Sequence, residues 1–358
     1  MKKRFKSVFL LAGILVLSLC MCTACGGGSE APSEEGGAET GEATTVKIAL
    51  EEVQGDPEGI YAEKFKEILE EKSNGAYNVE IYYLGQLGDG TDQVELCQNG
   101  MIEMTLAAAC ATGSLVPESN VFGVHYLFPD TGALDVQEFL DNSKGVDLVE
   151  EAFAENNLVT LDWTSEGYNL WCTKEKVTTP EEMKGFAMRT MPAPVYTAFY
   201  SAYGANCTTV AFSETYSALQ LNMVSGVANP IAVDYSTKYH EVSDYLIDAR
   251  QDLYIFGTFV NSGFWDGLSP EDQQMFQESA KEASDYYNNE YLVQSTEELT
   301  QAFIDSGVEY VELTDEERQA FKDIAMQQWG PAYGDAYGER AAEILALMQE
   351  EIAEFYGK

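Results

Sequence analysis

The side chain with the clearest chemical potential is an arginine in an apolar segment. Arg189 lies in FAMRTM (186–191), and no acidic residue stands next to it. A buried guanidinium is costly unless it is paired, so either a distant carboxylate of the chain or the carboxylate of a ligand has to meet it. Because a guanidinium binds a carboxylate through two parallel hydrogen bonds, Arg189 is a candidate for recognising an acid.

Two further residues are candidates for the same site. Asn229 stands directly before Pro230, where a strand is expected to end, and ligands of α/β sheets bind at strand ends. Its amide either donates to a ligand or satisfies the backbone of a turn. Phe212 precedes a predicted helix, where it either walls a pocket or belongs to the core.

Composition limits the classes of partner. The chain has 358 residues, 60 of them acidic and 20 basic, for a net charge of −40. This charge argues against nucleic acid and anionic lipid head groups as partners, and an anionic ligand needs a local positive charge. With 45% hydrophobic residues the chain is globular, and its length suggests two domains.

Catalysis and metal binding have little support in the sequence. Neither G-x-S-x-G nor a phosphate-binding G-x-x-x-x-G-K-[ST] motif is present, and the only histidines are His125 and His240. No carboxylate pair is singled out by its spacing. We therefore expect neither an enzyme nor a cofactor. The four cysteines after the N-terminal region have irregular spacing and are expected to be buried free thiols: Cys97, Cys110, Cys172 and Cys207.

The N-terminus has the pattern of an export signal. Four basic residues precede an apolar run of 15 residues (8–22), which is too short to span a membrane and fits a secretory signal. The following Thr23-Ala24-Cys25 and its glycines resemble a bacterial lipoprotein cleavage site. The sequence predicts a signal peptide over 1–24, a lipid on Cys25 and a flexible acidic linker over 25–44. The alternative is an ordinary signal cut near Ala24 without a lipid.

The elements that position these residues alternate between strands and helices. Strands are expected at 46–50, 79–84 and 101–110, with helices at 60–72 and 92–99 between them, which indicates an α/β domain with a parallel sheet. A second α/β unit extends to about residue 230. Helical periodicity then covers 269–304, roughly 35 residues that would span roughly 50 Å and could brace the two units.

From residue 46 to about residue 276 the chain resembles the extracytoplasmic solute-binding proteins of tripartite ATP-independent periplasmic (TRAP) transporters, the DctP type. The segments that carry the resemblance occur in the family's order. They are FKEILEEKSNG (65–75), GQLG (85–88), QNGMIEM (98–104), MKGFAMR (183–189), GA (204–205) with FSETYSALQ (212–220), NP (229–230) and WDGLSPEDQ (265–273).

The resemblance implies a type II periplasmic-binding-protein-like fold. Each of its two lobes is a mixed, mostly parallel sheet flanked by helices, and hinge strands and a long bracing helix join them. Lobe I is expected to comprise 45–166 plus about 255–294. Lobe II is expected to comprise 167–254 plus about 295–358.

The resemblance also implies a binding site. Arg189 would clamp a ligand carboxylate, and Asn229 and Phe212 would line the pocket. Asn169 stands where many members have a second pocket arginine. The aromatic residues near the expected hinge either stack on the ligand or belong to the core: Trp163, Tyr168 and Trp171.

The implied ligand is a small organic acid (a monocarboxylate, sugar acid or dicarboxylate). A monomeric protein, anchored by its lipid to the outer face of the cytoplasmic membrane, would deliver this ligand to TRAP permease subunits driven by an ion gradient. Three alternatives remain open: a solute-binding lipoprotein of an ATP-driven importer, an enzyme, and a structural surface lipoprotein.

Overall fold

A computed structural model describes residues 43–130 and 133–357. The predicted signal peptide, Cys25 and most of the predicted linker lie outside these ranges. Ten strands occur in the described residues. They are β1 (Thr44–Ala49), β2 (Tyr77–Tyr82), β3 (Met104–Ala108), β4 (Leu158–Thr173), β5 (Ala187–Thr190), β6 (Asn206–Thr209), β7 (Gly226–Pro230), β8 (Tyr245–Asp248), β9 (Leu253–Asn261) and β10 (Glu309–Glu312).

The α-helices of the same residues range from single turns to five turns. They are α1 (Pro57–Lys72), α2 (Gly90–Gln98), α3 (Ala109–Thr112), α4 (Ala133–Leu140), α5 (Lys144–Glu155), α6 (Pro180–Met183), α7 (Pro194–Ala202), α8 (Thr215–Gln220), α9 (Ile231–Ser236), α10 (Ser262–Asp266), α11 (Pro270–Tyr286), α12 (Val293–Asp305), α13 (Asp315–Trp329), α14 (Asp335–Tyr337) and α15 (Glu339–Tyr356). Shorter 3-10 segments occur at Pro117–Gly123, Phe212–Glu214 and Tyr239–Glu241.

Two mixed sheets form the two lobes. The first has the order β2-β1-β3-β9-β4, with β1 parallel to both β2 and β3 and the other pairs antiparallel. The second contains β6, β5 and β7 as parallel neighbours, and β7 pairs antiparallel with β4. Strand β8 continues this sheet from β4 to β10. The parallel strands direct their carboxyl ends toward the space between the lobes, which is where α/β sheets bind ligands.

Strand β4 is the main connection between the lobes. Its residues up to Tyr168 pair with β9 in the first sheet, and Asn169 onward pairs with β7 and β8 in the second. The pairing shifts by one residue between Ser165 and Gly167, and Gly167 has φ +92°. A residue with a Cβ rarely adopts this φ, so glycine suits the bend. The expected hinge therefore lies close to this bend, where the strand passes from one sheet to the other.

The long helix predicted at residues 269–304 braces both lobes, as expected. It begins at Pro270, where the Ser269 hydroxyl accepts from the backbone N–H of Asp272, and it continues through a π-helical turn at Tyr287–Leu292 into α12. Helix α11 packs against α1 and β4, whereas α12 packs against α9 and β10. One continuous helix thus contacts the elements of both sheets.

The C-terminal helices do not all lie in the lobe that was predicted for them. Helix α13 packs against α7 of the second lobe, where Phe321 contacts the rings of Trp171 and Tyr203. Helix α15, in contrast, packs against α5, next to the first sheet. The chain therefore returns to the first lobe at its end, although the sequence places 295–358 in the second.

Two further features bear on the sequence predictions. Within residues 43–130 and 133–357 no helix has both the length and the apolar character to cross a membrane. Cys97, Cys110 and Cys172 are buried free thiols, as predicted, and Cys207 is free but partly exposed.

Candidate functional site

A cavity lies between the two sheets at the carboxyl ends of their strands. Its space, including the part that opens to solvent, is about 350 Å³, at the small end of the range of ligand pockets. The residues that line it are Glu51, Glu52, Cys110, Arg189, Met191, Pro192, Phe212, Asn229, Pro230, Val233 and Tyr254. Three predicted residues, Arg189, Phe212 and Asn229, therefore meet in one cavity.

Arg189 lies at the end of β5 and is 2% exposed. Its Nε donates to the Val210 carbonyl at 3.1 Å and its Nη1 to the Asn229 Oδ1 at 3.4 Å. Neither bond uses Nη2, and no carboxylate of the described residues lies within 4.0 Å of the guanidinium nitrogens. The guanidinium is held in position by neutral acceptors and retains capacity for an outside anion.

The other described arginines are all paired. Arg250, which has φ +47°, contacts Asp130 at 2.5 Å. Arg318 lies 3.6 Å from Asp315, and Arg340 lies 2.8 Å from Glu155. Arg189 thus differs from them in having no ion-pair partner. The sequence left open whether a carboxylate of the chain or of a ligand meets Arg189, and the described residues supply none.

Asn229 connects Arg189 to a buried acid. While its Oδ1 accepts from Arg189, its Nδ2 donates to Asp234 Oδ1 at 2.9 Å. Burial raises the pKa of Asp234, although the hydrogen bond from Asn229 opposes the shift. These two bonds fix the orientation of the amide, and the second N–H of Nδ2 remains for a ligand.

Phe212 closes one side of the cavity. It is partly buried at the start of the 3-10 segment that leads into α8. The hydroxyl of the next residue, Ser213, donates to Asp89 Oδ1 at 3.4 Å, and Asp89 caps α2 of the first lobe. The two lobes therefore touch next to Phe212, and the cleft is closed over the site.

Glu51 is the main site residue that the sequence analysis missed. It follows β1 and lines the cavity together with Arg189. Burial raises the pKa of Glu51 to about 7, while the positive charge of Arg189 acts in the opposite direction. The signal that could have identified it is its place directly after a strand, the same argument that selected Asn229. The cavity thus holds a cation and a carboxyl group that changes protonation near neutral pH.

Three of the predicted site residues do not line the cavity. Asn169 donates from Nδ2 to Asp252 Oδ2 at 2.7 Å and is 1% exposed, so this amide is occupied by a buried acid. Asn169 pairs with Pro230 on the neighbouring strand β7, so its backbone lies next to the strand end that carries Asn229.

The two tryptophans belong to the core. Trp163 packs against Phe122, Phe153 and Phe259, and its Nε1 donates to Glu150 at 3.0 Å. Trp171 is fully buried and contacts Phe321. Trp163 lies in the part of β4 that pairs with β9 and Trp171 in the part that pairs with β7 and β8, and each packs inside its own lobe. This placement corrects the prediction that they stack on a ligand.

Metal chemistry has no site in the described part of the chain, where no cluster of histidine, cysteine, aspartate and glutamate has the geometry to hold an ion.

Comparison with known proteins gives a consistent result. The family model for bacterial extracellular solute-binding protein family 7, DctP, matches residues 48–334. The ectoine/5-hydroxyectoine-binding periplasmic protein UehA of Ruegeria pomeroyi is 33% identical over 316 residues, which cover 87% of this chain and 91% of UehA. The C4-dicarboxylate-binding periplasmic protein DctP of Rhodobacter capsulatus is 30% identical over 300 residues, covering 83% and 88%.

A solved structure matches over the same length. The periplasmic ectoine-binding protein of the TeaABC TRAP transporter of Halomonas elongata superposes with a TM-score of 0.82 at 31% identity, covering 87% of this chain and 99% of that one. The apo state of TeaA superposes with a TM-score of 0.77 at 30% identity and the same coverage.

The proximity of Arg189 to Glu51 gives a first prediction. In Arg189→Met the nearby positive charge is lost, so the pKa of Glu51 should rise above its value of about 7. Carboxyl ¹³C NMR during a pH titration measures this, with Glu51→Gln to assign the signal. Glu150, whose pKa burial raises to about 7 without Arg189 among the causes, is the internal control and should not shift. An unchanged Glu51 titration would contradict the geometry.

Proposed function

Because this chain belongs to the DctP family of TRAP-transporter solute-binding proteins, we propose that it captures a small organic carboxylate between its lobes and that Arg189 binds the carboxylate group. The observation that carries this proposal is the buried guanidinium without an ion pair in the cavity. Two charge-assisted hydrogen bonds from a planar fork would fix both the position and the orientation of the acid. Asn229 and Phe212 would complete the pocket, and the lobes would close around it at β4.

The charges of the cavity favour a ligand with a second, cationic or hydrogen-donating group. Arg189 is the one positively charged residue among the described residues that line it, and Glu51 and Glu52 line it as well. A dicarboxylate or a sugar acid would place additional oxygens near these carboxyl groups, and no second arginine is among the described lining residues to bind them. Asn169, at the position where many members have that arginine, is hydrogen-bonded to Asp252. A zwitterion such as ectoine, with a carboxylate and a cationic amidine, would offer a partner to both Arg189 and Glu51.

The relatives support this ligand class. UehA is named for ectoine and 5-hydroxyectoine, and TeaA for ectoine, whereas the name of the R. capsulatus relative gives C4-dicarboxylates. The proposed order of preference is therefore a zwitterionic monocarboxylate first and a dicarboxylate second. The protein is a binding component and performs no reaction on its ligand.

Delivery and anchoring complete the proposal. The loaded protein would deliver its ligand to the membrane subunits of a TRAP permease. The similar structure of TeaA comes from the TeaABC TRAP transporter, which supports this partner over an ATP-driven importer. A lipid on Cys25 would hold the protein, as a monomer, at the outer face of the cytoplasmic membrane. The acidic, glycine-rich segment after Cys25 would then serve as the tether.

Replacing Arg189, the residue proposed to bind the carboxylate, should abolish tight binding. A charge-assisted hydrogen bond contributes roughly 1.5–3 kcal/mol, so Arg189→Ala should weaken ectoine binding by about 100-fold or more. Arg189→Lys should not restore it, since lysine lacks the two-point fork. Isothermal titration calorimetry measures both, with the paired surface residue in Arg340→Ala as the control. Wild-type affinity in Arg189→Ala would refute the assignment.

Glu51 should decide between the two ligand classes. If the ligand carries a cation, Glu51→Gln removes its counter-charge and should weaken ectoine binding by about tenfold or more. Succinate, as a dicarboxylate, should bind Glu51→Gln as well as wild type or better. Calorimetric titrations of both compounds against wild type, Glu51→Gln and the exposed-site control Glu95→Gln test this. Tighter binding of succinate than of ectoine by the wild type would favour the dicarboxylate reading.

The anchor has its own test. Cys25→Ala should move the protein from the membrane fraction to the soluble or secreted fraction, because a lipid is the proposed attachment. Cys22→Ala should leave it in the membrane fraction. Incorporation of a labelled fatty acid into the wild type, lost only in Cys25→Ala, would agree; release of the wild type as a soluble protein would point to an ordinary signal cleavage.

A further inference from the structure

Four buried carboxyl groups form a cluster at the hinge, next to the ligand cavity but separate from Arg189. We call Glu52, Asp56, Glu58 and Glu166 the hinge carboxyl cluster. Each is at most 4% exposed. The first three lie in or beside the turn between β1 and α1, whereas Glu166 belongs to β4 at the point where its pairing shifts. The cluster therefore joins the first lobe to the hinge strand.

Backbone N–H groups satisfy only part of the cluster. Glu52 accepts from the backbone N–H of Glu58 at 2.8 Å, and Glu58 accepts from that of Glu51 at 3.1 Å. Both carboxyl oxygens of Glu166 are buried and have no N–H or O–H donor among the described residues. A buried carboxyl group without such donors is more stable in its neutral, protonated form.

No positive charge balances the cluster. None of its members forms an ion pair with a described lysine or arginine; Arg189 acts on the neighbouring Glu51, and Arg250, at the cavity that Glu166 borders, is bound to Asp130. The Glu51 carboxyl faces Glu58 and raises its pKa, and the other groups that face the cluster are hydroxyls. They are Tyr254 on β9, Tyr287 and Tyr291 on the π-helical turn, and Ser236 on α9 of the second lobe.

The surroundings change if the lobes separate. Ser236 approaches Asp56 from the second lobe, and Glu52 lines the cavity between the lobes. Opening at β4 would move Ser236 away, reorient Glu166 and admit water to Glu52. Hydrated carboxylates ionise near their ordinary pKa, whereas buried like-charged ones do not.

We propose that closing the lobes loads the hinge carboxyl cluster with protons, so that acidic solution favours the closed form and alkaline solution the open form. Burial in the closed form raises the pKa of Asp56 to about 6, and burial together with the charges of neighbouring carboxyls also raises the pKa values of Glu52, Glu58 and Glu166. A group with the higher pKa in the closed form binds more protons there, so the closed population falls as the pH rises through and above this range.

Small-angle X-ray scattering of the ligand-free full chain tests the proposal. The radius of gyration should increase between about pH 5.5 and about pH 8.5, an interval that begins near the raised pKa of Asp56, about 6. The double variant Glu58→Gln and Glu166→Gln carries neutral side chains of the same shape and changes no residue that lines the ligand cavity. It should expand less than wild type at the higher pH, because only Glu52 and Asp56 of the cluster can still ionise. Glu150→Gln, a buried carboxyl of the first lobe bonded to Trp163, should behave as wild type.

Several outcomes would overturn the proposal. They are an unchanged wild-type radius of gyration across this interval, an opening of the double variant equal to that of the wild type, and a response to sodium at fixed pH in place of a response to pH. A thermal melt of each variant verifies that it is folded, and the double variant should be at least as stable as wild type at the higher pH because it lacks buried like charges. No ligand is used, so failure here would leave the proposed function intact.

Discussion

A guanidinium removed from water needs compensation, and the position of Arg189 determines how that need is met. The backbone of Val210 and the amide of Asn229 hold the group in place, but both are neutral. A chain with three times as many acids as bases could easily supply a carboxylate here, and it does so for Arg250, Arg318 and Arg340. Arg189, in contrast to these three, has no ion pair, which supports the proposal that an anion from outside is its counterpart.

The fold keeps this group poised at the boundary of two lobes. Parallel strands from both sheets end at the cavity, while β4 and the long helix α11–α12 connect the lobes at the sides. A ligand that contacts both lobes gains its binding free energy only in the closed form, so binding and closure are linked. In the proposed switch the acids around the cavity would respond to the same closure, since their burial would depend on it. If both proposals hold, electrostatics rather than apolar packing determines what enters the cavity and when the lobes close.

Sequence reasoning succeeded where a residue conflicted with its surroundings. Arg189 in an apolar strand and Asn229 before a proline each stand out from their local sequence, and the structure places them at a cavity and at a strand end. The β-α-β alternation likewise indicated the α/β lobes, because buried strands and amphipathic helices have different periods.

It failed where only the tertiary structure distinguishes the alternatives. Trp163 and Trp171 lie on either side of the register shift in β4 and in different sheets, and nothing local says that either side chain faces the core. Strand β9 is buried along its whole length but shows no alternation, and it was not predicted. Glu51 and the hinge carboxyls look like ordinary surface acids in the sequence, since their burial depends on elements more than 100 residues away, such as β4 and α11.

The most direct measurement is to identify what occupies the cavity of the protein purified from its native host and to determine the crystal structure of that complex. The account predicts a small molecule, detectable by native mass spectrometry, whose carboxylate lies within hydrogen-bond distance of both Arg189 Nη atoms or of Nη2 and Asn229. A complex in which a glutamate or aspartate of the chain binds Arg189 while the ligand lies elsewhere, or a ligand without an acidic group, would contradict it.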